Sequence, residues 1–125
     1  MMINYGRILV VDDDRKSRNI LKRLLTLSNY EVETVTSGQE AVKRLNKSKF
    51  NLVLTDLDMP EMDGLALLSH VKSQYPNVSV IVVTGLASGE SRNDVLKEGA
   101  DGLLSKPYTR DQLLAIVSEY LTKKK

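Results

Sequence analysis

Two hydrophobic periods take turns along this chain. Short, nearly continuous apolar runs appear at Ile8-Leu9-Val10-Val11, Leu52-Val53-Leu54 and Val78 to Val83. Runs of that length without a polar face predict strands covered on both sides. With two weaker runs they place strands near Arg7–Asp12, Glu31–Val35, Asn51–Asp56, Val78–Thr84 and Gly102–Ser105. The second of these, Glu31-Val32-Glu33-Thr34-Val35, alternates polar with apolar residues, which predicts a sheet edge with one wet face.

Helical spacing fills the intervals. A helix over about Arg15–Ser28 places Ile20, Leu21, Leu24, Leu25 and Leu27 on one broad face. The second helix opens on a capping box, Ser37-Gly38-Gln39-Glu40, and is expected to bury Ala41, Val42 and Leu45. The third runs over about Leu65–Gln74 with Leu65, Leu68 and Val71 inward, and stops before Pro76. The fifth opens on Thr109-Arg110-Asp111-Gln112, with Leu113, Leu114, Ile116, Val117, Tyr120 and Leu121 as its apolar positions. The fourth, about Gly89–Glu98, is rich in Ser, Gly, Asn and Asp, with Ser91 and Asp94 as caps and Val95 and Leu96 as its anchors. Such small burial predicts the least stable helix and the easiest to move. Five alternating βα units predict a parallel sheet with right-handed crossovers and helices on both faces, in one domain over 1–125 with a basic tail at 122–125.

The strand ends carry the candidate chemistry. The first apolar run ends in Asp12-Asp13-Asp14, the third strand in Asp56, the fourth in Thr84, and the fifth is followed by Lys106-Pro107. A parallel sheet gathers these residues at its carboxyl edge, where open α/β sheets bind ligands. Acid, acid, hydroxyl and amine suit a divalent cation and a phosphoryl group. Asp14 is the better placed of the three leading acids to cap the first helix.

Composition narrows the function classes. Lys and Arg number 18 against 16 Asp and Glu; without Lys123-Lys124-Lys125 the count is 15 against 16. The basic balance is a tail effect, and no basic stripe interleaved with aromatics predicts a nucleic-acid surface. With no cysteine, disulfides, thiolate metal sites and cysteine nucleophiles are excluded. No segment reaches the roughly 20 apolar residues of a membrane span, and the first residues lack the apolar core of a signal peptide. A cytoplasmic protein without membrane contact is expected. His70, the one histidine, is expected to be exposed on the third helix.

Val10-Val11-Asp12-Asp13-Asp14, Asp56-Leu57-Asp58-Met59-Pro60-Glu61-Met62-Asp63-Gly64, Thr84-Gly85 and Lys106-Pro107 together resemble the receiver domain of bacterial two-component response regulators, over nearly the whole chain. The resemblance implies a flavodoxin-like, doubly wound, five-stranded parallel sheet in the order 2-1-3-4-5 with five helices in three layers. It implies that Asp56 is the phosphoacceptor and that Mg²⁺ is held by Asp13, Asp56 and the backbone carbonyl of Asp58, with Asp12 on a metal-bound water. Lys106 is implied to pair with the phosphoryl group, and with Asp56 before it arrives, across a cis bond to Pro107; Thr84 is implied to hydrogen-bond the phosphoryl group. Met59-Pro60 and Asp63-Gly64 are implied to shape the loop that follows Asp56. The donor would be a sensor histidine kinase or a histidine phosphotransfer protein, and the reader an unidentified effector or output domain at the fourth and fifth helices and last strand. The domain would be no enzyme beyond assisting its own phosphorylation and dephosphorylation, with activation-linked homodimerisation through the fifth helix as a further implied partner.

One position departs from the family pattern. Three residues before the lysine most receivers carry Tyr or Phe; here it is Leu103, which has no ring to swing and no polar tip. Output is then expected to run through Thr84, the loop 85–89 and the weak fourth helix. Two rivals remain open. Leu54-Thr55-Asp56-Leu57-Asp58 also resembles the nucleophile strand of haloacid-dehalogenase-type phosphatases, although those place it first and add acids after the lysine. A phosphorylation-independent interaction module is the other; Leu103 favours it, and the full set of acids with Thr84 and Lys106 opposes it.

Overall fold

Successive side chains of a strand point to opposite faces of a sheet, and here both faces are buried. A computed structural model of the chain describes residues 6–57, 64–85 and 95–122. The elements are β1 (Arg7–Val11), α1 (Arg15–Leu27), β2 (Glu31–Val35), α2 (Gly38–Lys47), β3 (Leu52–Asp56), α3 (Gly64–Gln74), β4 (Ser79–Thr84), a helical segment at 95–97 (α4), β5 (Gly102–Ser105) and α5 (Arg110–Thr122). The five strands form one parallel sheet in the order β2-β1-β3-β4-β5, the flavodoxin-like arrangement with five helices. Every expected strand is present within a residue of its predicted bounds.

Alternation along the strands divides the core in two. Leu9, Val11, Val53, Val80 and Val82 face Ala41 and Leu45 of α2, Leu67, Leu68 and Val71 of α3 and Val95 of α4. Ile8, Val10, Leu52, Leu54, Ile81, Val83 and Leu104 face Leu21 and Leu25 of α1 and Leu113, Val117 and Leu121 of α5. β3 and β4, in the middle of the sheet, are buried throughout, whereas β2 at the edge is mostly half-exposed, as its alternation predicts.

Local signals start and stop the helices. Thr109 and Gln112 close a reciprocal box at α5: the Gln112 amide donates to Thr109 Oγ1 and the Thr109 amide to Gln112 Oε1. At α2 the box is displaced by one residue. Ser37 Oγ accepts from the Glu40 amide, but Glu40 Oε1 reaches back to the amide and hydroxyl of Thr36. α1 ends with Asn29 at φ 71, a left-handed conformation that asparagine tolerates. The Asn29 amide bonds Thr26 O and the Tyr30 amide bonds Leu25 O, which satisfies two terminal carbonyls.

The broad apolar face expected of α1 is narrower in the structure. Leu21 and Leu25 are buried and Leu24 is half-buried, but Ile20 and Leu27 are 56% and 72% exposed. A helix on one sheet face buries a stripe, and five apolar residues within eight positions wrap past its edge. In α3, Leu67 joins Leu68 and Val71 in the core while Leu65 is half-buried. Val95 anchors α4, but Leu96, expected to do the same, is 52% exposed. Most of the fourth helix expected at 89–98, with Ser91 and Asp94, lies outside the described residues, as do residues 58–63 and the final lysines. His70 is half-buried, its ring edge-on to Tyr75 at 6.4 Å, instead of fully exposed.

Candidate functional site

The carboxyl edge of the sheet collects three acids and a lysine. Asp56 is the last residue of β3 and is buried. It faces the α1/α5 side, because it shares the parity of Leu52 and Leu54. Asp12 follows β1 and is buried beside it, its amide bonded to Val35 O at the end of β2. Asp13 is exposed. One carboxylate oxygen from each of Asp12, Asp13 and Asp56 lies within 4.8 Å of the others. Lys106 follows β5, joined to Pro107 by a cis bond, and its Nζ donates to Asp56 Oδ2 at 2.9 Å. Its amide donates to Thr84 O at 2.8 Å, so the β4–β5 ladder itself carries the lysine to the mouth of the site.

The division of labour among the leading acids is visible in their partners. Asp14 caps α1: its Oδ2 accepts from both the amide and the hydroxyl of Ser17. These bonds, the hydroxyl's first, hold its carboxyl below the usual range. Asp12 Oδ1 accepts from the Asp14 amide, which folds the loop so that Asp12 points inward. Burial pushes the Asp12 carboxyl up; the Asp14 amide opposes this, and the charge of Asp56 adds to the rise. Arg18 does not relieve the excess charge directly, since its Nη1 donates to the backbone oxygen of Asp12.

The donor set suits a magnesium ion by its chemistry. Mg²⁺ takes oxygen ligands, few of them from protein. The site offers carboxylate oxygens that are close together and partly buried, and burial disfavours the charged form of Asp12, a cost that a hard cation would relieve. Asp12, Asp13 and Asp56 fit; Asp58, expected to lend its carbonyl, lies outside the described residues.

Thr84 and Leu103 stand on the other side of the sheet. Thr84 shares the parity of Val80 and Val82, is buried, and pairs in register with Ser105. Leu103 pairs with Val82 and packs, half-buried, on the α2/α3 side of the core. Tyr108 was not singled out by its sequence context. It is half-buried against the α1/α5 side of the core. Burial first, and then the charge of Asp12, hold its hydroxyl above the usual tyrosine range, with Lys106 opposing and Asp56 adding to the rise. The signal was its spacing, two residues beyond Lys106 and one before the Thr109 cap of α5.

The family model of the response regulator receiver domain matches residues 8–118, and the chain belongs to that family. It is similar to the transcriptional regulatory protein ZraR of Escherichia coli (strain K12), 40% identical over 114 residues that cover 91% of this chain and 26% of that protein. It is also similar to the DNA-binding transcriptional regulator NtrC of Proteus hauseri, at 33% identity over 94% of this chain and 25% of that one. The chain thus spans about a quarter of the length of these curated relatives. Among solved structures it resembles the chemotaxis protein CheY4 of Vibrio cholerae, with a TM-score of 0.88 and 31% identity over 93% of this chain and 98% of that one. Family membership identifies a regulatory phosphoacceptor domain of two-component systems and sets the phosphatase resemblance aside. Phosphorylation and Mg²⁺ in an acidic pocket are typical of such domains. Among the described residues no helix is long and apolar enough to cross a membrane.

Proposed function

We propose that this chain is a phosphorylation switch in which Asp56 accepts a phosphoryl group from a histidine kinase or a histidine phosphotransfer protein. The observation that carries the reading is the lysine-paired carboxylate of Asp56 at a sheet tip, crowded by Asp12 and Asp13. An Asp56 oxygen forms the new P–O bond as the donor's P–N bond breaks; the electron pair leaves with the imidazole, which takes a proton from solvent. A bound Mg²⁺ would supply charge neutralisation for the meeting of two anions. Asp13 and Asp56 would hold it directly, Asp12 through a water, and Asp58 by its carbonyl. Lys106 neutralises Asp56 beforehand and is placed to follow the charge onto the phosphoryl oxygens. Thr84, one strand over, would bond the phosphoryl group and draw on the loop that begins at Gly85.

With Leu103 in place of an aromatic ring, the change in surface would run through Thr84 toward α4 and α5, where an effector or a second copy would read it. Differential affinity for the two states carries such a signal.

The test is intact-protein mass spectrometry after acetyl phosphate and Mg²⁺, on the wild type and Asp56→Asn. One added phosphoryl group in the wild type alone, lost when the metal is chelated beforehand, is expected. Lys106→Ala should still form the adduct but respond more weakly in any effector assay. No adduct on the wild type under fast sampling would favour a phosphorylation-independent interaction module.

A further inference from the structure

The loops that lead into β3 and β4 border an open cavity of about 790 Å³ at the amino edge of the sheet, the edge opposite Asp56. Small-molecule sites span about 300–1,000 Å³ and set a few polar groups around an apolar floor. Here the floor is Leu45, Phe50 and Val78, all buried, with the half-buried Tyr75 beside them. Backbone bonds hold the walls. The Asn51 amide donates to Arg7 O, the Ser79 amide to Asn51 O, the Tyr75 amide to Val71 O and the Val78 amide to Tyr75 O. The Tyr75 hydroxyl donates to Asn46 Oδ1, which joins the residue after α3 to the last turn of α2.

Charge at the rim is one-sided. Lys47 and Lys49 line the cavity, and no acidic residue does. Among the described residues neither ammonium has a hydrogen-bond or ion-pair partner. Lys47 stands in the last turn of α2, where a cation also suits the helix dipole, but Lys49 lies beyond the helix end. Arg7 fixes the backbone there by donating from Nη1 to Lys49 O, while the rest of its guanidinium faces Glu31 and Glu33.

We propose that this cavity binds a small organic anion with an apolar body, of the aryl carboxylate class. A ring laid on Leu45, Phe50 and Val78 leaves water, and its carboxylate meets the two ammoniums at the rim. The same two charges disfavour a cation, and a neutral apolar molecule leaves them unanswered. The cavity lies on the edge away from Asp56, so the inference stands apart from the phosphoacceptor reading.

The test is amide NMR of the whole chain titrated with 1-naphthoate, with its neutral analogue 1-naphthamide, and with acetate. The wild type is compared with the double variant Lys47→Gln, Lys49→Gln. Both lysines are exposed, so the variant should melt as the wild type does. Naphthoate should give saturable shifts confined to the amides of residues 45–51 and 74–78, and acetate, a charge without a body, should give none. Affinity should fall about fivefold in the double variant, and by a similar factor for naphthamide on the wild type, as two exposed ion pairs would give. No saturable shift at these amides, or equal affinity of the wild type for naphthoate and naphthamide with no loss in the variant, would overturn the site. An acidic peptide carrying one phenylalanine that shifts these amides where naphthoate does not would also overturn it, and give the cavity to a protein segment instead.

Discussion

Both edges of the sheet carry charge clusters, but they are built on opposite plans. At the amino edge Arg7 is the hub of a charge network. Its Nε lies 2.7 Å from Glu31 Oε2, an ion pair out of line for a hydrogen bond. Its Nη2 pairs with Glu33, its Nη1 donates to Lys49 O, and its guanidinium lies 4.8 Å over the Phe50 ring. Arg44 takes the other Glu33 oxygen. Two arginines meet two glutamates, and the network ties β1, β2, α2 and the turn before β3 together. At the carboxyl edge three aspartates crowd together, with Lys106 paired to one of them. A charge-balanced network stabilises a fold; an acid-rich cluster in which burial disfavours the charged form of Asp12 is a cost that a ligand can relieve.

That contrast predicts opposite signs for charge deletion. Arg7→Ala should lower stability by about 2 kcal/mol, the discounted value of a part-exposed ion-pair hub with its ring contact. Phosphorylation of Asp56 should be unchanged. Chemical denaturation with the mass assay alongside checks both halves, and a stable Arg7→Ala would break the comparison. Thr109→Ala, at the carboxyl edge but outside the acidic cluster, should cost about 1 kcal/mol through its lost cap. It sharpens the contrast by separating structural from ligand-facing polar groups on one edge. Asp56→Asn should raise the melting temperature slightly or leave it unchanged, since it relieves like-charge crowding at the loss of one partly exposed pair. A large fall would place Asp56 among the structural groups.

The smallest effect concerns pH. The folded-state carboxyl of Asp14 is depressed, so its capping contribution is present above the ordinary carboxylate range and fades as pH falls through the depressed value. Asn caps without titrating, so Asp14→Asn should match the wild type at neutral pH and lose less stability on the acid side. Thermal melts across the acid range measure this; identical acid limbs would remove Asp14 as a titrating cap.

Much of the molecule was legible from residue order. Strand runs such as Leu52-Val53-Leu54 are buried on both faces and tolerate no other period, so β1, β3 and β4 were plain. Gathering Asp12, Asp13, Asp56 and Lys106 at one edge followed from placing the strand tips there, while the pairing of Lys106 with Asp56 was implied by the family resemblance. Where neighbouring elements decide, the sequence was ambiguous. Ile20, Leu27 and Leu96 read as core residues, yet the width of the sheet face, not their hydrophobicity, determines whether they are covered. Glu40 could reach Ser37 or Thr36, a choice set by the turn before α2. Tyr108 was not singled out in the sequence, and only the packing of the α1/α5 side shows it against the core.

The carboxyl-edge cluster of acids is proposed to be a metal-dependent phosphoacceptor site. Melting temperature against Mg²⁺ concentration, for the wild type and Asp13→Asn, tests it most directly. Binding to the folded state alone contributes about 2.7 kcal/mol at a hundredfold excess over Kd. A saturating rise is expected for the wild type and a flat line for Asp13→Asn; no rise in the wild type, or an equal rise in both, would contradict a metal site built on these acids.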